Sequence, residues 1–218
     1  MPNEVVERKN IARMSKEQLA SKIWKSANKM RSEIEANEYK DYILGFIFYK
    51  YLSDKEYKFL LEEGMTEHEI KSLSEEDDET VRHIQRKIGY FISYKNLFST
   101  WLLRGRDFNV SHVHDGLSAF NRFISSTHKK IFYEIFKVLE TGLSNLGGTT
   151  QLQTKAINDL IILIKDIPME GKQDYDVIGF IYEYLISNFA ANAGKKGGEF
   201  YARGFRPDVR NRGTSCKR

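Results

Sequence analysis

The stretch best suited to chemistry is residues 192–201, Asn-Ala-Gly-Lys-Lys-Gly-Gly-Glu-Phe-Tyr. Glycine at three of these positions allows positive φ angles and lets the backbone approach a ligand closely. Two lysines follow the predicted end of a helix, and an acid and two aromatic residues close the run. Such a run suits the wall of a ligand pocket and also an ordinary helix stop with its linker, so composition alone leaves both interpretations open.

Other residues capable of chemistry do not combine into a site. His112 and His114 are two apart, and residues at that spacing on a helix do not face each other. The acidic run 75–79 is predicted to place favourable negative charge at the positive end of the next helix rather than to bind metal. The single Cys216 has no neighbouring base. We therefore predict no catalytic residues, no metal site and no disulfide, and the scattered acids and histidines do not favour a hydrolase.

Length and composition predict a globular protein with a genuine core, since the chain has 218 residues of which 41% are hydrophobic. The long apolar run 42–52 includes Lys50 and is far shorter than the roughly 20 residues that span a bilayer. Residues 1–9 carry charges of both signs and no apolar stretch of the kind a secretory signal needs. We therefore expect a soluble cytoplasmic location and no membrane partner.

The net charge of +4 is concentrated at one end of the chain. Residues 202–218 contain six basic residues and one acid, a net charge of +5, which leaves about −1 for residues 1–201. Any contact between the folded part and nucleic acid must therefore come from a local patch rather than from the overall field.

Apolar residues recur at helical spacing along most of the chain, and capping-box pairs are expected at Ser15 with Gln18, Thr66 with Glu69, and Thr150 with Gln153. The middle of the second helix is apolar on every side, which predicts a buried central helix. The aromatic residues of 90–101 are interpreted as core rather than as a base-stacking surface. The pattern predicts an all-α bundle of seven or eight helices with minimal strand content. The predicted helices lie at residues 16–36, 38–62, 66–72, about 80–89, 112–126, 131–143, 150–168 and 174–193.

Five motifs occur in the order seen in a known family: Leu19-Ala-Ser-Lys-Ile-Trp24, Tyr51-Leu-Ser-Asp54, Gly89-Tyr-Phe-Ile92, Tyr182-Glu-Tyr-Leu185 and Gly194-Lys-Lys-Gly-Gly-Glu-Phe-Tyr201. Together they resemble the amino-terminal region of type I restriction-modification DNA methyltransferase (modification) subunits, over residues 15–201. The resemblance implies a helical domain preceding a Rossmann-like domain that transfers methyl from S-adenosylmethionine to adenine N6. It also implies a second modification subunit, a specificity subunit, a restriction subunit and DNA as partners, with the helical domain helping to clamp the DNA.

In that family the glycine-rich run lines the S-adenosylmethionine pocket and continues Phe-Tyr-Thr-Pro. The resemblance therefore makes Glu199, Phe200 and Tyr201 partial cofactor-binding residues, whereas Ala202 and Arg203 stand where Thr and Pro are expected. The family also holds the flipped adenine in an Asn-Pro-Pro-Phe or Asn-Pro-Pro-Tyr loop. The prolines of this chain are Pro2, Pro168 and Pro207, so this sequence contains no such loop and we expect it to be inactive alone.

Four segments follow from these observations: an extension at 1–14, the helical domain at 15–193, the glycine-rich start of a catalytic domain at 194–201, and a basic tail at 202–218 that is expected to be disordered. The tail is interpreted either as out-of-frame translation, which we favour because the resemblance stops in mid-motif, or as a basic arm for nucleic acid. The expected function is the assembly and DNA-clamp module of a type I adenine-N6 methyltransferase subunit. The alternative is a stand-alone helical module that binds nucleic acid or protein and is tethered by its basic tail.

Overall fold

The computed structural model describes residues 15–30, 36–169 and 176–193, and within these ranges it confirms the all-α prediction. The described residues form helices and no strand. No helix in these ranges has the length and apolar character needed to cross a bilayer. Predictions for residues 1–14, 31–35, 170–175 and 194–218 lie outside the described residues. The described ranges contain ten α-helices: α1 Lys16–Met30, α2 Ala36–Glu62, α3 Glu67–Ser72, α4 Asp78–Ile88, α5 Phe98–Leu103, α6 Val110–Arg122, α7 Lys129–Phe132, α8 Lys137–Gly142, α9 Thr150–Ile164 and α10 Val177–Ala193.

Helix α2 is the centre of the bundle, as its all-round apolar pattern predicts. It is about 40 Å long at 1.5 Å per residue, and it packs against α1, α3, α5, α8, α9 and α10. A helix surrounded on every side needs apolar residues on every side, which is why its pattern shows no polar face. Its fully buried hydrophobic side chains include Tyr42, Ile43, Phe46, Ile47, Tyr49 and Leu52.

Side chains at the helix starts fix where the elements begin. The predicted capping boxes at Ser15 and Thr66 are confirmed, since each backbone N–H and partner side chain pair reciprocally. The cap of α9 is Thr149 rather than the predicted Thr150, because the Thr149 hydroxyl accepts from the Leu152 N–H at 3.3 Å. Helix α6 begins two residues earlier than predicted, because Asn109 caps it by accepting from the Ser111 N–H at 2.9 Å.

The single helix predicted at residues 131–143 is wrong. Glu134 has a φ of 63°, a left-handed conformation that interrupts the helix between α7 and α8. The break lets Phe136 and Leu139 enter the core while Tyr133 and Val138 stay exposed. Apolar spacing alone could not reveal the break, because the apolar residues of 131–143 recur at helical intervals on both sides of Glu134.

In the part of the chain that the structure describes, four 3-10 helices connect the longer elements: Tyr94–Asn96, Gly105–Asp107, Ser126–His128 and Leu143–Leu146. The first lies in the aromatic stretch 90–101, whose interpretation as core is confirmed. The ring of Trp101 stacks on that of Tyr49 with centroids 4.6 Å apart and planes 6° apart. Leu60, Ile70 and Phe91 belong to a smaller cluster that holds α3 and α4 against the end of α2.

Candidate functional site

The residues assigned to the cofactor by resemblance, Glu199, Phe200 and Tyr201, lie outside the described residues. The nearest described element is α10, whose last residue is Ala193. What the structure shows is therefore the helix that precedes the glycine-rich run in the sequence.

Helix α10 is anchored to the centre of the bundle. At its start the Asp176 carboxylate accepts a hydrogen bond from the Gly179 N–H at 3.0 Å, which satisfies one of the free N–H groups of the first turn. Ile181 and Leu185 are fully buried, and the helix packs against α1 and α2. On the outer side Tyr182 and Ile186 are exposed. Helix α10 is thus fixed to α2, the central helix of the described bundle.

Two of the motifs that carry the resemblance contact each other directly. The Tyr90 hydroxyl donates to the Leu52 carbonyl oxygen at 2.9 Å across 38 positions of sequence. One residue further along α2, the Ser53 hydroxyl accepts from the Phe98 N–H at 2.8 Å. Buried backbone polar groups must find partners, and these contacts supply them where the chain enters α5. We call this set of contacts between α2 and residues 90–98 the polar joint.

Glu56 is the most buried acid of the polar joint, with no exposed surface. Its two carboxylate oxygens lie 3.0 and 2.9 Å from the Ile92 nitrogen, whose N–H donates to them. Burial raises the pKa of the Glu56 carboxyl well above its ordinary value, and the Ile92 hydrogen bond only partly offsets this. The nearby Tyr49 hydroxyl donates to the Asn96 carbonyl oxygen at 2.9 Å, and burial also raises the Tyr49 pKa. Both groups are therefore engaged in hydrogen bonds that hold the fold together.

A charged pair, Lys50 and Asp54, lies one turn away on α2 and is largely buried. The ammonium of Lys50 also lies 5.9 Å from the centroid of the Phe98 ring. Burial raises the pKa of Asp54, while the ammonium of Lys50 acts in the opposite direction. Because the charges of Lys50 and Asp54 compensate each other, neither buried charge is left without a partner.

The acidic run 75–79 divides into two roles, of which the sequence predicts one. Asp77 caps α4 by accepting from the Thr80 N–H at 3.2 Å, and Asp78 and Glu79 lie in the first turn, as predicted. Glu75 instead accepts hydrogen bonds from residues 93, 95, 96 and 122, so that it ties the polar joint to α6. Partial burial raises the pKa of Glu75, but the bonds from Lys95, Ser93 and Arg122 outweigh it and leave the pKa below its ordinary value. No sequence signal marks these partners, because they come from distant positions.

The histidines form no metal site within the described ranges. His112 completes the cap of α6, where its Nδ1 accepts from the Asn109 N–H at 3.1 Å. No group of three or more His, Cys, Asp or Glu side chains in the described part of the chain could hold a metal ion. Ser125 Oγ and His128 Nδ1 are 2.9 Å apart, a contact that the sequence reasoning missed. The two residues close one 3-10 turn, and His128 makes no hydrogen bond to an acid among the described residues.

Comparison with known proteins gives two adjacent matches. Residues 19–164, about two-thirds of the chain, match the family described as the HsdM N-terminal domain. Residues 173–203 match the family described as N-6 DNA Methylase.

Relatives of known name agree with these matches. The type I restriction enzyme MpnII methylase subunit of Mycoplasma pneumoniae is 28% identical over 196 residues, and the MjaIX methylase subunit of Methanocaldococcus jannaschii is 29% identical over 185 residues. Each alignment covers 83% of this chain but only 36% and 32% of the relative, so the chain spans about a third of the length of these curated relatives.

A solved structure shares the fold. It is the crystal structure of the type I restriction-modification system methyltransferase subunit from Streptococcus thermophilus, with a TM-score of 0.69 and 29% sequence identity. The match covers 86% of this chain and 41% of that one. The order of motifs, the helical architecture and the match over residues 19–164 agree, and the chain belongs to the HsdM N-terminal domain family.

Proposed function

We propose that this chain is the helical assembly and DNA-clamp module of a type I restriction-modification adenine-N6 DNA methyltransferase subunit, acting in the cytoplasm. Its proposed partners are a specificity subunit, a second modification subunit, a restriction subunit and DNA. In this proposal the module provides a rigid support for subunit contacts, and the chemistry belongs to a catalytic domain that uses S-adenosylmethionine.

The observation that carries the proposal is the position of α10. Residues 173–203 match the N-6 DNA Methylase family, and α10 lies within them. Yet α10 packs against α1 and α2 of the segment that matches the HsdM N-terminal domain. A helix shared in this way would transmit the position of the helical bundle to the cofactor loop without a flexible linker. We propose that the helical domain spans 15–193 and that the catalytic part starts at 194–201.

The polar joint supports a scaffold role for the motifs. Tyr90, Ser53 and Glu56 hold α2 to residues 90–98 through buried hydrogen bonds. Buried and fully paired polar networks make a core rigid and specific. Motif residues engaged in this way are unavailable for binding a reactant.

We propose that the 218-residue chain transfers no methyl group by itself. Glu199, Phe200 and Tyr201 would form one edge of the S-adenosylmethionine pocket, and the sequence contains no Asn-Pro-Pro-Phe or Asn-Pro-Pro-Tyr loop for the target adenine. The experiment is transfer of labelled methyl from S-adenosylmethionine to DNA by the purified chain, with a complete type I methyltransferase as positive control. Turnover above the no-protein background would contradict this part of the proposal.

The assembly role is tested by co-purification of the tagged chain with its cognate specificity subunit. The proposal expects a complex at micromolar concentrations that survives deletion of residues 202–218. An unrelated helical protein carrying the same tag is the negative control. Absence of a complex at those concentrations would refute the assembly role.

A second candidate function is a stand-alone helical module that binds nucleic acid or protein through its tail. The net charge of +5 in residues 202–218 favours it. It predicts salt-sensitive DNA binding that disappears when this segment is deleted, whereas the assembly module predicts little change in partner binding. The same deletion therefore separates the two functions.

A further inference from the structure

An exposed basic surface forms where the end of α4 meets residues 125–133. Arg86 and Lys87 lie in the last turn of α4, and Lys129 and Lys130 begin α7. All four side chains are exposed. We call these four residues the α4/α7 basic surface.

Close packing at Gly89 brings the two halves of this surface together. The Ser125 N–H donates to the Gly89 carbonyl oxygen at 2.9 Å. A Cβ atom at Gly89 would lie only 2.7 Å from Cγ of His128, so the 3-10 turn rests directly on the end of α4. Phe132 continues the contact, with its ring centroid 5.2 Å from that of Tyr90. Arg86 and Lys87 immediately precede this contact in the sequence and Lys129 and Lys130 immediately follow it, so the two pairs of cations lie on elements that touch each other.

The surface carries positive charge that the fold does not neutralise. Residues 85–90 and 125–133 contain no acidic residue. Within the described part of the chain none of the four cations forms an ion pair, whereas Lys50, Arg82, Lys95, Arg122 and Lys137 each pair with an acid.

An ordinary explanation for Arg86 and Lys87 is that cations suit the negative end of a helix. That end amounts to about half of one elementary charge. Four full charges therefore leave a strongly positive surface.

Groups around the cations also suit a nucleic-acid backbone. Ser126 and Thr127 are exposed between the two halves of the surface, and hydroxyls together with Arg and Lys make most protein contacts to phosphate. Tyr133 is 55% exposed, and the Lys129 ammonium lies 5.9 Å from the centroid of its ring. The Tyr133 hydroxyl adds a further group of the kind that contacts phosphate or sugar.

We propose that the α4/α7 basic surface binds the phosphate backbone of duplex DNA without reading its sequence. The inference rests on the proposed function of a DNA-clamp module and assigns that contact to particular residues. The folded part of the chain is near neutral overall, so a local surface of this kind is the way in which it can attract DNA.

The test is the salt dependence of DNA binding by the purified 218-residue chain, measured by fluorescence anisotropy with a labelled duplex. The variant replaces the four cations by glutamine (R86Q, K87Q, K129Q, K130Q). The matched control replaces four exposed lysines on other parts of the molecule, Lys55, Lys71, Lys155 and Lys165, also by glutamine. Circular dichroism confirms that both variants are folded.

If all four cations contact phosphate, the slope of log K against log salt becomes shallower by about 3.6, at about 0.9 for each contact. The control, with the same net charge, keeps a slope within about one unit of the original. A slope equally reduced in both variants would overturn the proposal, since general charge would then explain the binding. Undetectable binding by the unaltered chain at 50 mM salt would overturn it too.

Failure of this inference differs from failure of the assembly role. If the four-fold variant binds DNA like the unaltered chain but both co-purify with the specificity subunit, only the assignment of the DNA contact is refuted. If the variant loses co-purification and keeps DNA binding, the surface faces a protein and the inference is wrong. Deletion of residues 202–218 in parallel shows how much of the slope comes from the tail.

Discussion

Helix α2 and the segment 125–146 place similar residue patterns in different structural settings. Helix α2 runs unbroken from Ala36 to Glu62 and packs against six other helices. The segment 125–146 breaks into four short pieces, Ser126–His128, α7, α8 and Leu143–Leu146, which bury Leu139 and Leu143 and leave Ile131 and Tyr133 exposed. Both contain apolar residues at helical spacing. The difference teaches that the same apolar spacing occurs in a continuous central helix and in a segment whose short pieces bury some apolar residues and expose others.

This difference matches the two roles proposed for the molecule. Helix α2 carries the polar joint and supports α10, so it acts through rigidity. The segment 125–146, which we call the outer segment, contributes Lys129 and Lys130 and leaves Ile131 and Tyr133 exposed. In the proposal it acts through its surface. Substitutions in α2 should therefore change stability, and substitutions in the segment should change binding.

The largest expected effect comes from truncating the core face of α2. Phe46→Ala should lower the free energy of unfolding by about 3–5 kcal/mol, because it removes a fully buried ring from a packed core. The matched change in the outer segment, Tyr133→Ala, should alter it by about 0.5 kcal/mol or less, since that ring is 55% exposed. Urea denaturation measures both, and similar losses in the two variants would abolish the contrast.

Gly89 lies at the contact between α4 and the outer segment, and substituting it should destabilise the fold strongly. Its φ of 95° and the His128 ring beside it both oppose a side chain. Gly89→Ala should therefore cost about 2–5 kcal/mol, the sum of left-handed strain and overpacking. Gly64→Ala is the control, because its φ is 88° but nothing lies within 4 Å of the added Cβ. Urea denaturation should show a smaller loss of unfolding free energy for the control, about 1–2 kcal/mol. Equal losses in the two variants would mean that the contact between Gly89 and His128 does not contribute to stability.

Glu56 makes the stability of α2 depend on pH. Its pKa is ordinarily 4.5 and is raised in the folded protein, so the folded state holds a proton that the unfolded state releases. Stability due to this group is therefore fully present below pH 4.5 and is lost as pH rises towards the folded pKa, by up to about 1.4 kcal/mol per pH unit.

Glu56→Gln keeps the shape of the side chain and removes its titration. Denaturation of both proteins between pH 4 and pH 8 should show the glutamine variant gaining stability relative to the unaltered chain as pH rises. A difference that stays constant over this range would show that Glu56 does not titrate differently in the two states.

The smallest effect is expected at the break in the outer segment. Glu134→Gly should raise the free energy of unfolding by about 1 kcal/mol or less, because relief of the left-handed strain at φ 63° is partly offset by the flexibility of glycine when unfolded. Both Glu134→Gly and the control Glu134→Ala lose the ion pair with Lys137, but the alanine variant keeps the strain. Calorimetry should rank the glycine variant above the alanine variant, and the reverse order would indicate that the backbone at 134 is not strained.

Local signals in the sequence predict local structure well. The capping box at Thr66 and Glu69 and the buried character of α2 are both confirmed, because each depends on residues within a few turns. The break at Glu134 could not be predicted, since it depends on where Phe136 must enter the core.

The candidate site divides in the same way. The motifs around Leu52 and Tyr90 are visible in the sequence, but their hydrogen bond spans 38 positions and depends on the packing of α2 against residues 90–98. The four cations of the α4/α7 basic surface are likewise ordinary in the sequence and become a patch only through the contact at Gly89. Glu199, Phe200 and Tyr201 remain a prediction by resemblance, because they lie outside the described residues.

The most direct test of the central claim is the binding of the chain to its cognate specificity subunit, titrated by calorimetry with and without residues 202–218. If the helical bundle is an assembly module, both forms should bind with affinities within about threefold of each other, since a difference under about 0.7 kcal/mol means that the tail contributes little. Loss of binding on deletion of the tail, or no binding by either form at micromolar concentrations, would contradict the account.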